Sequence, residues 1–397
     1  MKPPALERLA RRLDRLPPAV WLALLGVAIW PHILWMARRL CDGSDDPLGV
    51  VALAALAFTG WLQRRHLRRA PHPAWFGGAL LLVALASATW LALPPLFSAL
   101  LALSGFAAGM LSLFPGIVAS APVLWLAVLS LPLMASLQFY AGYPLRLLVA
   151  EFSRWLLLAG HHVERDGVAL RIDGQLVLVD AACSGVQLVW FSYFTACVAA
   201  LSGGCDNRRF LCRLPAVGAL ALAGNVLRNT ALVALQADGK PVAAWLHEGI
   251  GLFTLAAVCA LVFRLMQVRA EPASARTPAG ETSGMASLSS RLRTLKLLAA
   301  LLLPACALWH AADLRGARPA RTAAPPAADS TVEWPATWLG QRLRPLALSA
   351  VERRFAQGFP GRIARLTDER NMLVWRHIAR PTRMLHPALD CYRALGW

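Results

Sequence analysis

The sequence predicts an all-α polytopic membrane protein with about nine transmembrane helices. Only 16% of its residues are charged and 57% are apolar, whereas soluble domains average about 25% charged residues. The mean hydropathy is +0.51, and apolar runs recur that approach the length of about 20 residues needed to cross a bilayer core. These observations exclude an ordinary soluble domain.

Nine apolar windows account for the predicted spans. They lie near residues 18–37, 47–62, 74–93, 96–114, 117–137, 183–202, 214–236, 246–266 and 295–312. The second window is short. Pro94, Pro95 and Pro115 fit either tight turns or kinked helices, so the count between residues 74 and 137 stays open by two spans.

The basic residues predict a cytoplasmic N-terminus, because cytoplasmic loops carry the excess of lysine and arginine. With nine crossings, the residues that fall inside are Lys2, Arg8, Arg11, Arg12, Arg15, Arg64, Arg65, Arg68, Arg69, Arg208, Arg209, Arg213, Arg264, Arg269, Arg276, Arg291, Arg293 and Lys296. The chain is therefore expected in the lipid bilayer of a bacterial inner membrane. Since the net charge of +18 arises from these loop clusters, nucleic acid is not expected as a partner.

The composition divides the chain into four parts. They are a membrane core (1–269), a cytoplasmic linker (270–294), a last transmembrane helix (295–312), and a linker with a small soluble α+β C-terminal domain (313–397). Residues 163–180 alternate apolar and polar side chains around Asp-Gly pairs, which predicts a small extracytoplasmic β-hairpin. The amphipathic segment 138–160 is expected to lie along the outer interface or to end a helix.

A cysteine at the start of the sixth window is the first candidate for chemistry. Cys183 follows Asp180 and two alanines, and it precedes Ser184 and Gly185. At a helix start, unpaired backbone N–H groups and the helix dipole favour a thiolate, the form in which cysteine attacks a carbonyl carbon. Asp180 or Ser184 would cap the helix, and Gly185 leaves room for another backbone. The alternative is an inert thiol that only fills space.

Two later windows place a cation and an imidazole at the same outer depth as this thiol. Arg228 lies in the outward half of the seventh window, where an arginine normally faces a partner or a wet cavity, and Asn225 shares its helix face. His247 begins the eighth window next to Glu248, a candidate to orient it. The alternatives are a snorkelling or helix-pairing Arg228 and a simple interfacial anchor at His247.

The cysteines give no sign of a metal or redox site. The chain has eight of them, and no two form the C-x-x-C spacing of such sites. We therefore expect no disulfide framework, no bound metal and no cofactor.

The order of these motifs resembles the exosortase/archaeosortase family of polytopic membrane cysteine transpeptidases. The resemblance is carried by Ala182-Cys183-Ser184-Gly185, by Asn225-x-x-Arg228, and by His247 with small residues after it. It implies that Cys183 is the nucleophile, that Arg228 stabilises the thiolate or the oxyanion, and that His247 is the general acid/base. Supporting roles are expected for Asp180, Ser184, Gly185, Asn225 and Glu248.

The end of the chain resembles the extra C-terminal domain of the exosortase T subgroup. This resemblance is carried by His386-Pro387, Asp390-Cys391-Tyr392 and Gly396-Trp397. Cys391 is either a second functional residue or a packing or surface thiol.

The family resemblance also implies a substrate class and a reaction. The substrates are secreted proteins with a C-terminal sorting signal of the PEP-CTERM kind, which consists of a short motif, a transmembrane helix and a basic cluster. Cleavage passes through a thioester acyl-enzyme that an unknown acceptor nucleophile or water resolves, with the active site and the C-terminal domain on the periplasmic side. The alternatives are a non-catalytic scaffold for envelope or exopolysaccharide assembly and a transporter; no internal repeat favours the transporter.

Overall fold

The computed structural model describes residues 5–41, 45–116, 118–178, 185–237, 243–267, 285–316, 333–348, 352–353, 356–357 and 359–378. The helices in these ranges are α1 (Ala5–Asp14), α2 (Pro18–Ala28), α3 (Trp30–Cys41), α4 (Leu48–Gln63), α5 (Pro73–Ala88), α6 (Pro95–Leu113), α7 (Ser120–Leu129), α8 (Met134–Leu157), α9 (Val186–Ser202), α10 (Asn207–Ala237), α11 (Ala244–Gln267) and α12 (Met285–Gly316). The strands are β1 (Val163–Asp166), β2 (Ala169–Ile172), β3 (Gln175–Leu178), β4 (Thr337–Trp338), β5 (Gln341–Arg342), β6 (Arg344–Leu346), β7 (Gly361–Thr367) and β8 (Met372–Ile378).

The described helices make this a mostly helical, polytopic membrane protein with four to six candidate spans. Helices α6, α10, α11 and α12 are each long and apolar enough to cross a bilayer. The pairs α2 with α3 and α7 with α8 qualify as bent spans, with bends of 66° and 92°. Helices α4, α5 and α9 are apolar but have only 16 or 17 residues. The total of nine stays a prediction.

A proline lies at each of the two bends. Pro31 follows the break between α2 and α3, and Pro132 lies between α7 and α8. Proline has no N–H to donate, and its ring clashes with the preceding turn, so a helix kinks or ends there. Helix α8 contains most of the predicted amphipathic segment 138–160. Because of the bend at Pro132, α8 lies nearly at right angles to α7.

Contacts between helix ends identify the two ends of the bundle. At one end, Gln187 near the start of α9 donates a hydrogen bond to Asp46 in the loop before α4. At the other, Asn207 at the start of α10 donates to Ser120 at the start of α7. We call the end where α9 begins and α10 finishes the site end, and the other the opposite end. The end of α6 leads into the start of α7 and so lies at the opposite end. The His72 N–H just before α5 donates to a carbonyl oxygen near the end of α6, so α5 begins at the opposite end and finishes at the site end.

Two apolar cores hold the helices together. The larger one joins α4, α6, α7, α9, α10 and α11. The second joins α1 and α2 to α5, α6 and α12, with Leu25 and Leu303 fully buried in it and the rings of Trp21 and Phe76 packed edge to face at 5.4 Å. At the opposite end, Lys296 of α12 is buried and its Nζ lies 2.8 Å from Oδ1 of Asp14. The last helix is thus packed on the N-terminal helices.

A three-stranded antiparallel sheet precedes α9, in the order β1-β2-β3. The prediction of hairpin structure in residues 163–180 is confirmed as far as Leu178, although two hairpins form instead of one. At the second turn, Asp173 and Gly174 have φ angles of 49° and 85°, as Asp-Gly turns favour. A hydrogen bond from His161, 2.8 Å away, is the main reason that the pKa of the Asp173 carboxyl is lowered. The apolar side of the sheet packs on α8 and α10 through Ala150, Leu157, Val163, Leu170, Ile172, Val177 and Val233.

The described C-terminal region consists mainly of strands. β4 pairs with β5, and β6, β7 and β8 form a second antiparallel sheet in that order. The longest of these strands, β7 and β8, have seven residues each and pair along their whole length. Helix α12 begins at Met285, inside the segment predicted as a linker, while the remainder of that linker and Cys391 lie outside the described residues.

Helices α10 and α11 pack tightly against each other at Gly224. A Cβ atom at this position would overlap Cγ2 of Val258 and lie 3.5 Å from Cγ2 of Thr254. We expect Gly224→Ala to destabilise the protein by about 1–3 kcal/mol, because added volume in a packed core forces neighbours to shift. A lowered thermal unfolding midpoint of the purified protein measures this effect.

The matched control for this substitution is Gly78→Ala. Gly78 also lies inside a helix, but a Cβ there would meet nothing within 4 Å. Adding Val258→Ala to Gly224→Ala should restore most of the midpoint. An unfolding midpoint for Gly224→Ala equal to that of the unchanged protein would contradict the close packing.

Candidate active site

Two of the predicted side chains meet at the site end, between α10 and α11. Nη2 of Arg228 lies 3.5 Å from Nε2 of His247, which is the outer limit of a hydrogen bond. His247 is in the first turn of α11, and Arg228 is in the last third of α10. Both side chains are partly buried. The structure therefore brings together a permanent cation and an imidazole that can donate or accept a proton.

Gly251 makes room for the Arg228 side chain beside α11. It lies one helical turn after His247, and a Cβ at Gly251 would lie 3.4 Å from both Nε and Nη2 of Arg228. The guanidinium group therefore lies along α11 between the His247 and Gly251 positions. Gly251 is one of the small residues that follow His247, and its spacing of four positions, on the same helix face, is the signal that it borders the site.

One nitrogen atom of Arg228 makes no hydrogen bond within the described residues. Nε of Arg228 is buried and has no hydrogen-bond partner within the described part of the chain. Buried N–H groups are normally hydrogen-bonded. This atom is therefore placed to meet a group outside the described residues or a bound ligand.

The start of α9 lies against the same face of α10. Gly185 precedes the helix with a φ of 78°, and a Cβ there would lie 2.6 Å from both Cγ and Nδ2 of Asn225. Asn225 is only 3% exposed and lies one turn before Arg228. The expectation that Gly185 permits a close approach fits this contact, but its neighbour is the Asn225 side chain and not a backbone.

Neighbouring polar residues face elsewhere. Asn229 turns away from the site, and its Nδ2 donates to Oγ of Ser153 in α8 at 3.0 Å. Glu248 is exposed and, within the described chain, makes no hydrogen bond or ion pair with His247, because adjacent helical residues diverge by about 100°. Asp180, Cys183 and Ser184 lie outside the described residues.

The comparisons with known proteins identify the family. Residues 35–264, more than half of the chain, match the family model described as transmembrane exosortase (Exosortase_EpsH). The chain belongs to the exosortase family. The matched segment of this exosortase runs from α3 nearly to the end of α11, so it includes Cys183, Arg228 and His247, while α1, α2 and α12 lie outside it. Searches of curated proteins and of solved structures gave no match.

No metal cluster is visible in the described ranges. Within them, no group of three or more His, Cys, Asp or Glu side chains is arranged to hold an ion. Together, the contacts given above define the described part of the site, which consists of Gly185, Asn225, Arg228, His247 and Gly251.

Proposed function

We propose that this exosortase is a membrane cysteine peptidase and transpeptidase that cleaves the C-terminal sorting signals of secreted proteins. The observation that carries the proposal is the contact between Arg228 and His247 at the end of the bundle where α9 begins. An arginine and a histidine in contact beside a helix start provide an electrostatic stabiliser and a proton carrier for a nearby nucleophile.

The connectivity of the chain supports a role for Cys183 at this pair. Cys183 lies two residues before Gly185, so their Cα atoms can be at most about 7 Å apart. Gly185 is in contact with Asn225, which is one helical turn before Arg228. This connection supports a shared role for Cys183, Arg228 and His247.

The reaction follows from these three side chains. The Cys183 thiolate attacks the scissile carbonyl carbon, and Arg228 stabilises the thiolate and then the oxyanion of the tetrahedral intermediate. His247 gives a proton to the leaving amine, the C–N bond breaks, and a thioester remains. His247 then takes a proton from the acceptor nucleophile, which attacks the thioester and releases the Cys183 thiolate. Water in place of that acceptor gives hydrolysis.

The membrane setting agrees with a substrate that carries its own transmembrane helix. A sorting signal places its short motif where that helix meets the membrane surface, and Arg228 and His247 lie at the ends of candidate spans α10 and α11. The basic loops support a periplasmic position for this end and for the C-terminal domain, in a bacterial inner membrane.

The test is substitution of the nucleophile. Cys183→Ala and Cys183→Ser should leave the protein in the membrane but abolish processing of a secreted protein from the same genome that ends in a motif, an apolar helix and an arginine cluster. Immunoblotting of the substrate would show that it retains its C-terminal anchor.

The matched control is Cys212→Ser, because Cys212 is an exposed thiol on α10 that has no role in the proposed reaction. This variant should process the substrate at the normal rate. Normal processing by Cys183→Ala would rule out the cysteine mechanism.

A further inference from the structure

Two histidines meet inside the bundle, away from the proposed active site. His32 of α3 and His310 of α12 are each only 1% exposed. Their rings are perpendicular, with centroids 5.5 Å apart. Both residues lie outside the segment that matches the exosortase family. Ionisable side chains inside a membrane protein are costly to bury, and they commonly mark functional sites.

The residues around this histidine pair form a small polar site at the site end of α5. Nε2 of His310 lies 3.2 Å from Oγ of Ser87. The Trp90 ring packs edge to face on both imidazoles, at 4.8 and 5.6 Å. Its Nε1 donates to Oδ2 of Asp313 at 3.3 Å. The pair therefore joins α3, the end of α5 and α12 through specific polar contacts.

The surroundings of the His32 ring favour a neutral imidazole over a charged one. Neither of its ring nitrogens makes a hydrogen bond within the described chain, and Nδ1 of His310 makes none there either. The carbonyl oxygens of Ile29 and Ala86 lie beside the His32 ring without hydrogen-bond geometry. A neutral imidazole can be packed in this way, whereas a charged one needs a partner.

The charged groups that face the pair are few. Helices α2, α5 and α6 carry no ionisable side chain. On α12, Asp313 lies beside His310, and Arg315 is two residues further along the helix. Arg291, Arg293 and Lys296 lie toward the opposite end, as does all of α1. On α3, Arg38 and Arg39 lie in the last turn, with Arg39 3.8 Å from Asp45. Asp313 is thus the one described carboxylate next to the pair.

We propose that His32 and His310 form a proton-binding site that holds α12 against the bundle while both rings are neutral and loosens this end of α12 when protons bind. Asp313 can balance one added charge on His310. A further proton on His32 faces a like charge within one ring contact, and no carboxylate of the described residues interacts with the His32 ring. Imidazoles are the side chains that ordinarily change charge between pH 5 and 8, so acidification on the periplasmic side is the expected signal.

Only one end of α12 should respond. At the opposite end, the ion pair between Lys296 and Asp14 contains no imidazole and keeps α12 attached. Cys306 lies one turn before His310 and is only 7% exposed, so its thiol reports whether this part of α12 is packed. Loosening α12 also changes the anchoring of the C-terminal region that follows it.

The experiment measures labelling of Cys306 as a function of pH. Full-length protein in detergent is given short pulses of N-ethylmaleimide at pH 7.5, 6.5 and 5.5, and mass spectrometry quantifies Cys306 relative to the exposed Cys212. This ratio removes the general loss of thiolate at low pH. We expect the ratio to rise about fivefold or more between pH 7.5 and 5.5.

The variants test whether the histidines are responsible. His32→Phe with His310→Gln keeps ring packing at one position and a hydrogen-bonding group at the other but removes both titrating groups, so the ratio should stay flat. Each single variant should weaken the response, which covers the case in which the double variant fails to fold. His66→Gln, at an exposed position outside the cluster, is the control and should respond normally. A flat ratio in the unchanged protein, or a full response in the folded variants, would overturn the proposal.

Discussion

Substrate processing should fall by about 10²- to 10³-fold when Arg228 is replaced by lysine. The positive charge remains, but lysine lacks the planar fork that reaches His247 through Nη2 while a second N–H stays directed elsewhere. An ammonium group can therefore contact the imidazole or the developing oxyanion, but it cannot hold both in a fixed geometry. Initial rates of cleavage of a purified sorting-signal substrate measure the loss.

Arg213→Lys is the matched control for this substitution. Arg213 lies on the same helix at the opposite end, where its Nη1 donates to the carbonyl oxygen of Met266 at 3.1 Å. Lysine can also donate to this carbonyl oxygen, and Arg213 lies far from the proposed active site, so the cleavage rate should change less than about twofold. Equal rates for Arg228→Lys and the unchanged protein would remove Arg228 from the proposed reaction.

Gly185→Ala should lower activity by about 10²-fold or more, because a misplacement of 1 Å near the reacting atoms is enough for such a loss. The added Cβ would lie 2.6 Å from Cγ and Nδ2 of Asn225. A left-handed backbone also disfavours alanine by about 1–2 kcal/mol. The start of α9, two residues after Cys183, would have to shift. Cleavage rates measured together with the unfolding midpoint separate this local effect from general destabilisation.

Gly204→Ala distinguishes backbone strain from the contact with Asn225. Gly204 also has a positive φ, of 65°, but a Cβ there would meet nothing within 4 Å. This variant should lose some stability and little activity. Asn225→Gly added to Gly185→Ala should restore part of the cleavage rate if the overlap is the cause. No restoration, together with an equal loss in Gly204→Ala, would show that strain alone accounts for the effect.

The meeting of Arg228 and His247 could be anticipated because helix order and length constrain depth. Two consecutive apolar helices joined by a short turn must run antiparallel, so a residue late in the first lies level with one early in the second. The Asp-Gly pairs likewise specified the turns of the β1-β2-β3 sheet through local backbone preference. Both inferences depend on neighbouring parts of the chain, which is where sequence patterns are informative.

Features that depend on distant parts of the chain were not predictable. His32 and His310 come from opposite ends of the sequence, and each alone looks like an ordinary polar residue near the end of an apolar run. The contact of Asn225 with Gly185 depends on how α9 packs across α10. The bend at Pro132 was not predicted, because residues 117–137 read as one apolar window and a proline fits both a kink within a helix and a turn between helices.

The packing of α12 on α1 and α2 has a consequence for the ancestry of this chain. The two parts that flank the family segment lie before and after it in the sequence, yet they share one apolar core and one partly buried ion pair. Loss of either flank alone would leave Phe76 and Leu80 of α5 partly uncovered and would leave Lys296 or Asp14 without its counter-ion. We therefore expect the two extensions to be inherited as a single unit, with relatives that carry both or neither.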